Sequence, residues 1–145
     1  MRNRLLVPLT DAEEEFYRDW KGKKMESPLF RVDAVINGIG ISPALLDSGS
    51  GPYAIVNPSF VRKFNCSTFR ISPRSLGGVG GETLVTEIYH FSLDLDGHKQ
   101  HRIYAYVVAR CPQPLILGLP WIQSEEAEYQ HKEDVYWIGS SRTTL

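Results

Sequence analysis

What this chain of 145 residues lacks narrows its class before any motif is read. It has two cysteines, Cys66 and Cys111, too few for the disulfide framework of a small secreted domain. They are expected as free thiols of an intracellular protein. Sixteen Lys and Arg against seventeen Asp and Glu leave a net charge of −1. That balance implies neither nucleic acid nor an anionic membrane surface as a partner. No apolar run approaches the ~20 residues that span a bilayer. The apolar start, Leu5-Leu6-Val7, falls short of the ~7–15-residue core of a signal peptide and acids follow it, so secretion is not expected. There is no internal repeat and no low-complexity tract, and the length suits one domain.

Several chemistries are missing too. No G-x-S-x-G elbow is present and no histidine lies near Cys66 in sequence, which removes the local support for a serine or cysteine nucleophile. His98 and His101 could share a metal on a helix, but on a strand they point to opposite faces, so no metal site is expected. Ser75-Leu76-Gly77-Gly78-Val79-Gly80-Gly81 is glycine-rich without the Lys-Ser/Thr and helix start of a phosphate-binding loop.

What is present reads mostly as β structure. Phe30, Val32, Ala34 and Ile36 alternate with polar residues, a half-buried strand over 29–36. Asn37-Gly38 then signals a hairpin turn, since a type I′ turn needs positive φ at both positions. The return strand runs over 39–46; Pro43 cannot donate to a ladder, which predicts an edge strand or a nearby bulge. Asn57-Pro58 opens a short helix that ends in Arg62-Lys63, with the cap, the proline and the cations each where helix ends favour them. Residues 85–95 alternate, with Val85, Tyr89, Phe91, Leu93 and Leu95 on one face, and lead to a second turn at Asp96-Gly97. Residues 103–108 are apolar on both faces, which predicts a central strand. Leu115-Ile116-Leu117-Gly118 reads as the last core strand, 119–123 as a short helix, and 135–138 as a terminal strand.

Three units follow from this reading: an N-terminal extension over 1–27, a folded domain over 28–139, and a tail over 140–145. Within the extension, Thr10-Asp11-Ala12-Glu13 has the capping-box pattern, ahead of a helix over 13–20 with Phe16, Tyr17 and Trp20 at helical spacing. Lys21-Gly22-Lys23-Lys24 is expected to end that helix.

The organising stretch is Asp47-Ser48-Gly49-Ser50. It puts a carboxylate where an apolar strand, ending Ala44-Leu45-Leu46, enters a tight turn. Apolar walls disfavour a charge there, while N–H and O–H donors favour it. Alone, the four residues read equally well as an Asp opening a surface turn. Likewise the glycines of 77–81 read either as a flexible loop or as a hinged flap that closes on a ligand.

Taken together, Asp47-Ser48-Gly49, Gly77-Gly78-Val79-Gly80-Gly81, Gly97-His98-Lys99 and Ile116-Leu117-Gly118 come in an order and spacing that resembles the retropepsins, the aspartic proteases of retroviruses and LTR retrotransposons. The likeness spans roughly 29–122. The run Leu115-Ile116-Leu117-Gly118-Leu119-Pro120-Trp121 is more similar to the retrotransposon members. The resemblance implies a mostly β, closed or partly open barrel with a glycine-rich flap hairpin and one or two short helices, forming a C2 dimer. It makes Asp47 the catalytic carboxylate and Ser48, Gly49 and Ser50 its turn. Gly77, Gly78, Val79, Gly80 and Gly81 become the flap over the substrate, and Leu117 and Gly118 the support beneath the turn. It implies an endopeptidase for extended peptides or a polyprotein, working in the cytoplasm or a virus-like particle.

Carboxylate-driven peptide hydrolysis needs two aspartates, and this chain holds one Asp-Ser-Gly and no second Asp-Ser/Thr-Gly. The second is therefore expected from a second copy across a two-fold axis. Departures from the retroviral pattern are Ser50 for Ala, Gly51 and Pro52 for acidic residues, and Leu119 for Arg. A hydroxyl at position 50 can donate to the carboxylate. A more acidic optimum than that of Ser50→Ala is the consequence. The changes at 51, 52 and 119 keep a second reading open, a retropepsin-fold module that dimerises and grips peptides without cutting them. The polar stretch 125–134, where related proteins carry a more apolar hairpin, leaves the C-terminal part of the fold undecided.

Overall fold

A computed structural model describes residues 7–20, 29–77 and 82–145. The chain runs α1 (Asp11–Trp20), β1 (Arg31–Ile36), β2 (Gly40–Leu46), β3 (Ala54–Val56), α2 (Pro58–Phe64), β4 (Ser67–Leu76) and β5 (Thr83–Leu95). It continues through β6 (His98–Val107), β7 (Leu115–Leu117), α3 (Leu119–Ser124), β8 (Ala127–Gln130), β9 (Val135–Ile138) and β10 (Thr143–Thr144).

Seven strands form one sheet in the order β1-β2-β7-β3-β6-β5-β4, and a further β1–β5 pairing closes six of them into a barrel. Strand β5 makes closure possible by its length. Its residues 83–90 pair with β4, while Leu93 and Asp94 pair with Ile36 and Val35 of β1. Strand β4 is thereby left outside the ring, and nearly all of its side chains are exposed. Ala34, Ile36, Leu46, Phe60, Phe91, Leu95, Ile103, Leu115, Leu117 and Trp121 fill the interior.

The turns carry the chemistry the residues suggested. Asn37 and Gly38 have φ of 50° and 65°, and Ile39 N–H donates to Ile36 O at 2.9 Å. The Asn37 side chain does more than turn the chain: its Nδ2 donates to Phe64 O and its Oδ1 accepts from Ser92 N. The β1–β2 hairpin is thereby tied to α2 and β5. Helix α2 is capped by Asn57, whose Oδ1 accepts from Phe60 N at 2.9 Å. Asp96 and Gly97 take the β5–β6 turn at φ 48° and 100°. Thr10 and Glu13 exchange side-chain-to-backbone bonds at the start of α1, while residues 21–24, expected to end it, lie outside the described residues.

Three expectations are corrected and one open question is answered. Strand β2 is interior, between β1 and β7, but β7 pairs with it only from Ala44 onward. Pro43 is tolerated because it faces Asp33 of β1 in the half of the strand that has no second neighbour. Strand β6 is central, between β3 and β5, yet only one face is buried. Ile103 and Ala105 turn inward while Tyr104 is 44% exposed. The polar stretch 125–134 does form a hairpin, β8 against β9. Its one buried side comes from Tyr136 and Ile138 of β9. Residues 140–145 are not a tail. Thr143 and Thr144 pair with β9, and Leu145 N donates to Tyr136 O.

Candidate active site

Parallel pairing of β2 with β7 and antiparallel pairing of β3 with β7 set three strand ends side by side. Asp47 stands where β2 ends. Its N–H donates to Leu117 O at 2.9 Å, a last rung of the ladder. The chain then turns. Gly49 N–H donates to Asp47 Oδ1 at 2.9 Å, and Ser50 N–H donates to Asp47 O at 3.0 Å. The carboxylate, half-buried, is thus held by its own turn, with one oxygen engaged. Ser48 and Gly49 are exposed. A Cβ on Gly49 would stand 3.2 Å from Asp47 Oδ1 and crowd the carboxylate.

Beneath the turn lies Gly118. Its N–H donates to Tyr53 O, and the next N–H, of Leu119, donates to Ser50 O, both at 2.9 Å. The approach is so close that a Cβ on Gly118 would fall 1.9 Å from Pro52 O and 2.8 Å from Ser50 O. Leu117 is fully buried just before it. Residues 47–53 and 117–119, about seventy positions apart in the chain, therefore form one hydrogen-bonded unit.

No family model matches this chain, and no curated protein matches it. Among solved structures, the crystal structure of the retroviral protease-like domain of Ddi1 from Leishmania major matches with a TM-score of 0.57. The match covers 82% of this chain and 95% of that one, at 15% identity. The fold is retropepsin-like. At that identity the likeness is one of fold, and the chemistry rests on the side chains.

On this retropepsin-like frame, β4 and β5 pair as far as Leu76 and Thr83, so residues 77–82 join two antiparallel strands. Gly77 is exposed there; Gly78, Val79, Gly80 and Gly81 lie outside the described residues. Beside the Asp47 turn a cleft of about 390 Å³ opens, lined by Gly51, Pro52, Tyr53, Ile88, Tyr104 and Tyr106 among others. Its walls are largely apolar. Asp47 itself is not among them; the cleft begins four residues further along the same loop.

Three groups near the site carried little or no signal in the sequence. Tyr136 of β9 is buried between Phe30 and Tyr129, at ring distances of 4.8 and 5.1 Å. Burial first, and then the negative charge of Asp47, pushes its phenol above the usual range. Tyr53 meets Gln100 Nε2 at 3.5 Å, and Gln100 Oε1 accepts from Trp121 Nε1 at 2.8 Å. Burial raises the Tyr53 phenol, the Gln100 contact lowers it, and the charge of Glu125 raises it again. The Gly-His-Lys motif has a structural job that its spacing did not reveal. His98 is buried, with Nδ1 2.6 Å from Ser141 Oγ and Nε2 3.0 Å from Glu125 Oε1. It ties the β5–β6 turn to the end of α3 and to the approach to β10. His101 faces out, so the two histidines lie on opposite sides of the strand.

Cys66 and Cys111 are both free thiols. Burial pushes Cys66 up to about 11. It raises Cys111 as well, partly offset by a contact with the backbone of Gln113. Both are therefore poor nucleophiles, since the thiolate is the reactive form.

Proposed function

We propose that this chain is an aspartic endopeptidase that acts as a homodimer. The observation that supports it best is the Asp47 turn. One carboxylate is held by the Gly49 N–H at the end of an apolar strand, braced from below by a glycine that admits no side chain, and flanked by an apolar cleft. A single chain supplies half of the carboxylate pair. Two copies on a two-fold axis bring their Asp47 side chains together around one water.

In this reading the two carboxylates share one proton, because like charges about 3 Å apart cannot both ionise. The ionised one takes a proton from the water as its oxygen attacks the scissile carbonyl carbon. The protonated one gives its proton to the carbonyl oxygen. As the tetrahedral adduct collapses and the C–N bond breaks, one of its hydroxyl protons returns to the second carboxylate, and the proton held by the first carboxylate passes to the departing amine. The nucleophile is water, so the step calls on no cofactor. Residues 77–81 serve as the flap, and the substrate lies extended beneath it as an added strand. The cleft beside Pro52 and Tyr53 takes an apolar side chain near the cut. A retrotransposon-type polyprotein inside the cell is the natural substrate class.

The test is cleavage of a mixed peptide library between pH 4 and 7 at low and high protein concentration, beside Asp47→Asn. Hydrolysis that climbs steeply with concentration and vanishes in the variant is the expected result. No hydrolysis at a concentration where sedimentation finds dimers overturns it. That outcome favours the module that grips peptides without cutting, to which the loss of acidic residues at Gly51 and Pro52 lends some weight.

A further inference from the structure

The outer face of β4, β5 and β6 continues from the cleft to a second hollow, of about 310 Å³ and different chemistry. Cross-strand register lays out the path. Phe69, Ile88 and Tyr106 form one row, and Ser67, His90 and Tyr104 the next. Beyond them a bulge sets Ser92 opposite His101 and Arg102. Ile88, Tyr104 and Tyr106 line the cleft, whereas Asn37, Ser67, His90, Ser92, His101 and Arg102 line the second hollow.

The chemistry changes along this path. The middle is aromatic: Phe69, His90 and Tyr104 stand 6.0–6.2 Å apart, ring to ring, with Phe69 and Tyr104 both nearly half exposed. The far end is polar and cationic. Arg102 and His101 are exposed there, and among the described residues neither makes an ion pair. Among the described residues no carboxylate lines the hollow. Asp94, two residues beyond Ser92, lines the adjoining hollow with Ser92 and His101, and its Oδ1 is engaged by Gly97 N in the β5–β6 turn. Asn37 is already committed to Phe64 and Ser92, which leaves the Arg102 guanidinium, the two imidazoles and the serine hydroxyls to meet a ligand.

We infer that this hollow is a specificity site for an acidic side chain on the peptide whose apolar residue fills the cleft. The inference rests on the proposed peptide-binding role of that cleft. From Ile88 to Ser92 is four strand residues, about 13 Å, and an extended peptide spans the same length in the same number of residues. The acidic residue therefore lies about four positions from the one in the cleft. The aromatic row between them packs against the intervening side chains, and the arginine fork receives the carboxylate.

The experiment is fluorescence anisotropy of labelled peptides on the full chain, so that binding is read without cleavage. Each peptide carries an apolar anchor and, at offsets of two to six, either Glu or Gln. The proteins are wild type, Asp47→Asn, Arg102→Glu and Arg102→Gln, all checked by thermal melting. Arg102 is a surface residue, and its variants should melt with the wild type. The expected result is that Glu at an offset near four tightens binding about fivefold over Gln, the size of an exposed charge pair. Arg102→Gln erases that preference, Arg102→Glu reverses it, and Asp47→Asn leaves it intact. Equal affinity for Glu and Gln at every offset overturns the site. So does tighter binding of a single-stranded oligonucleotide than of any acidic peptide, which would make the aromatic row a base-stacking face. Glu-selective binding without hydrolysis sinks the protease and keeps this site. Hydrolysis that ignores the Glu sinks the site and keeps the protease.

Discussion

Replacing Gly118 with alanine tests whether the Asp47 turn and β7 form one packed unit. Gly118 has φ −88° and ψ −176°, a conformation open to any residue, so backbone strain plays no part. On conformational entropy alone the change would stabilise the fold by about 0.4–1 kcal/mol. Space decides the other way. The new methyl would stand 1.9 Å from Pro52 O and 2.8 Å from Ser50 O. Both are backbone atoms that no rotamer change can remove. Relief requires the 50–53 loop and β7 to part by more than an ångström. That weakens the Gly118-to-Tyr53 and Leu119-to-Ser50 hydrogen bonds. Overpacking costs about 1–3 kcal/mol and each of the two weakened bonds about 1 kcal/mol, so after the entropic gain the net loss is about 2–4.5 kcal/mol. A urea titration reads it directly, with Gly51→Ala as the control. A Cβ at Gly51 meets nothing within 4 Å, and that variant should stay within about 0.5 kcal/mol of wild type. Turnover gives a second readout: a shift of about 1 Å in the carboxylate should lower it about a hundredfold. A Gly118→Ala protein within 1 kcal/mol of wild type, by the same titration, would refute the reasoning.

Four further outcomes are expected. The Cys66 thiol, held up to about 11 against the usual 9.0, should react with iodoacetamide at pH 8 about a hundredfold more slowly than in urea, and equal rates by peptide mapping would contradict its burial. Folding favours the protonated form of that thiol. Its contribution is therefore whole below about pH 9 and is lost as pH climbs through about 11, and Cys66→Ala should flatten this slope in melts across that range. His98→Ala removes the buried imidazole that Glu125 and Ser141 meet and should cost about 1–3 kcal/mol, with most of it recovered when His98 and Glu125 are both made Leu; no recovery would show that packing, not the polar contact, is at stake. Ser50→Ala keeps the backbone bonds of Ser50 to Asp47 and Leu119 and removes only the hydroxyl, so its pH optimum should move upward, and identical profiles would remove the hydroxyl from the chemistry.

Much of the barrel was legible residue by residue. Asn37-Gly38 and Asp96-Gly97 announce their turns because positive φ is a local demand that few residues meet. Asn57-Pro58 announces α2 because capping is settled within four residues. The alternation of β1 and β5 is legible because one face of each strand is buried and the other is not. The weak spots share a cause. Strand β8 offers little alternation, since its buried partners stand on β9. Pro43 looked like an edge residue because the extent of β7 cannot be known from position 43.

For the site, Asp47-Ser48-Gly49-Ser50 alone reads equally well as a surface turn, and it was the order of four short motifs, with the resemblance they carry, that singled out Asp47, its glycine turn and Gly118. Tertiary structure decided what surrounds them. Pairing β2 with β7 brought residues 44–46 against 115–117, the closure of β1 on β5 set the barrel's size, and β9 carried Tyr136 to the neighbourhood of Asp47. Glu125 and Ser141 met on the buried imidazole of His98 in the same way. These are meetings between distant segments, selected by how the whole apolar surface is best covered, and no short stretch of chain contains that information.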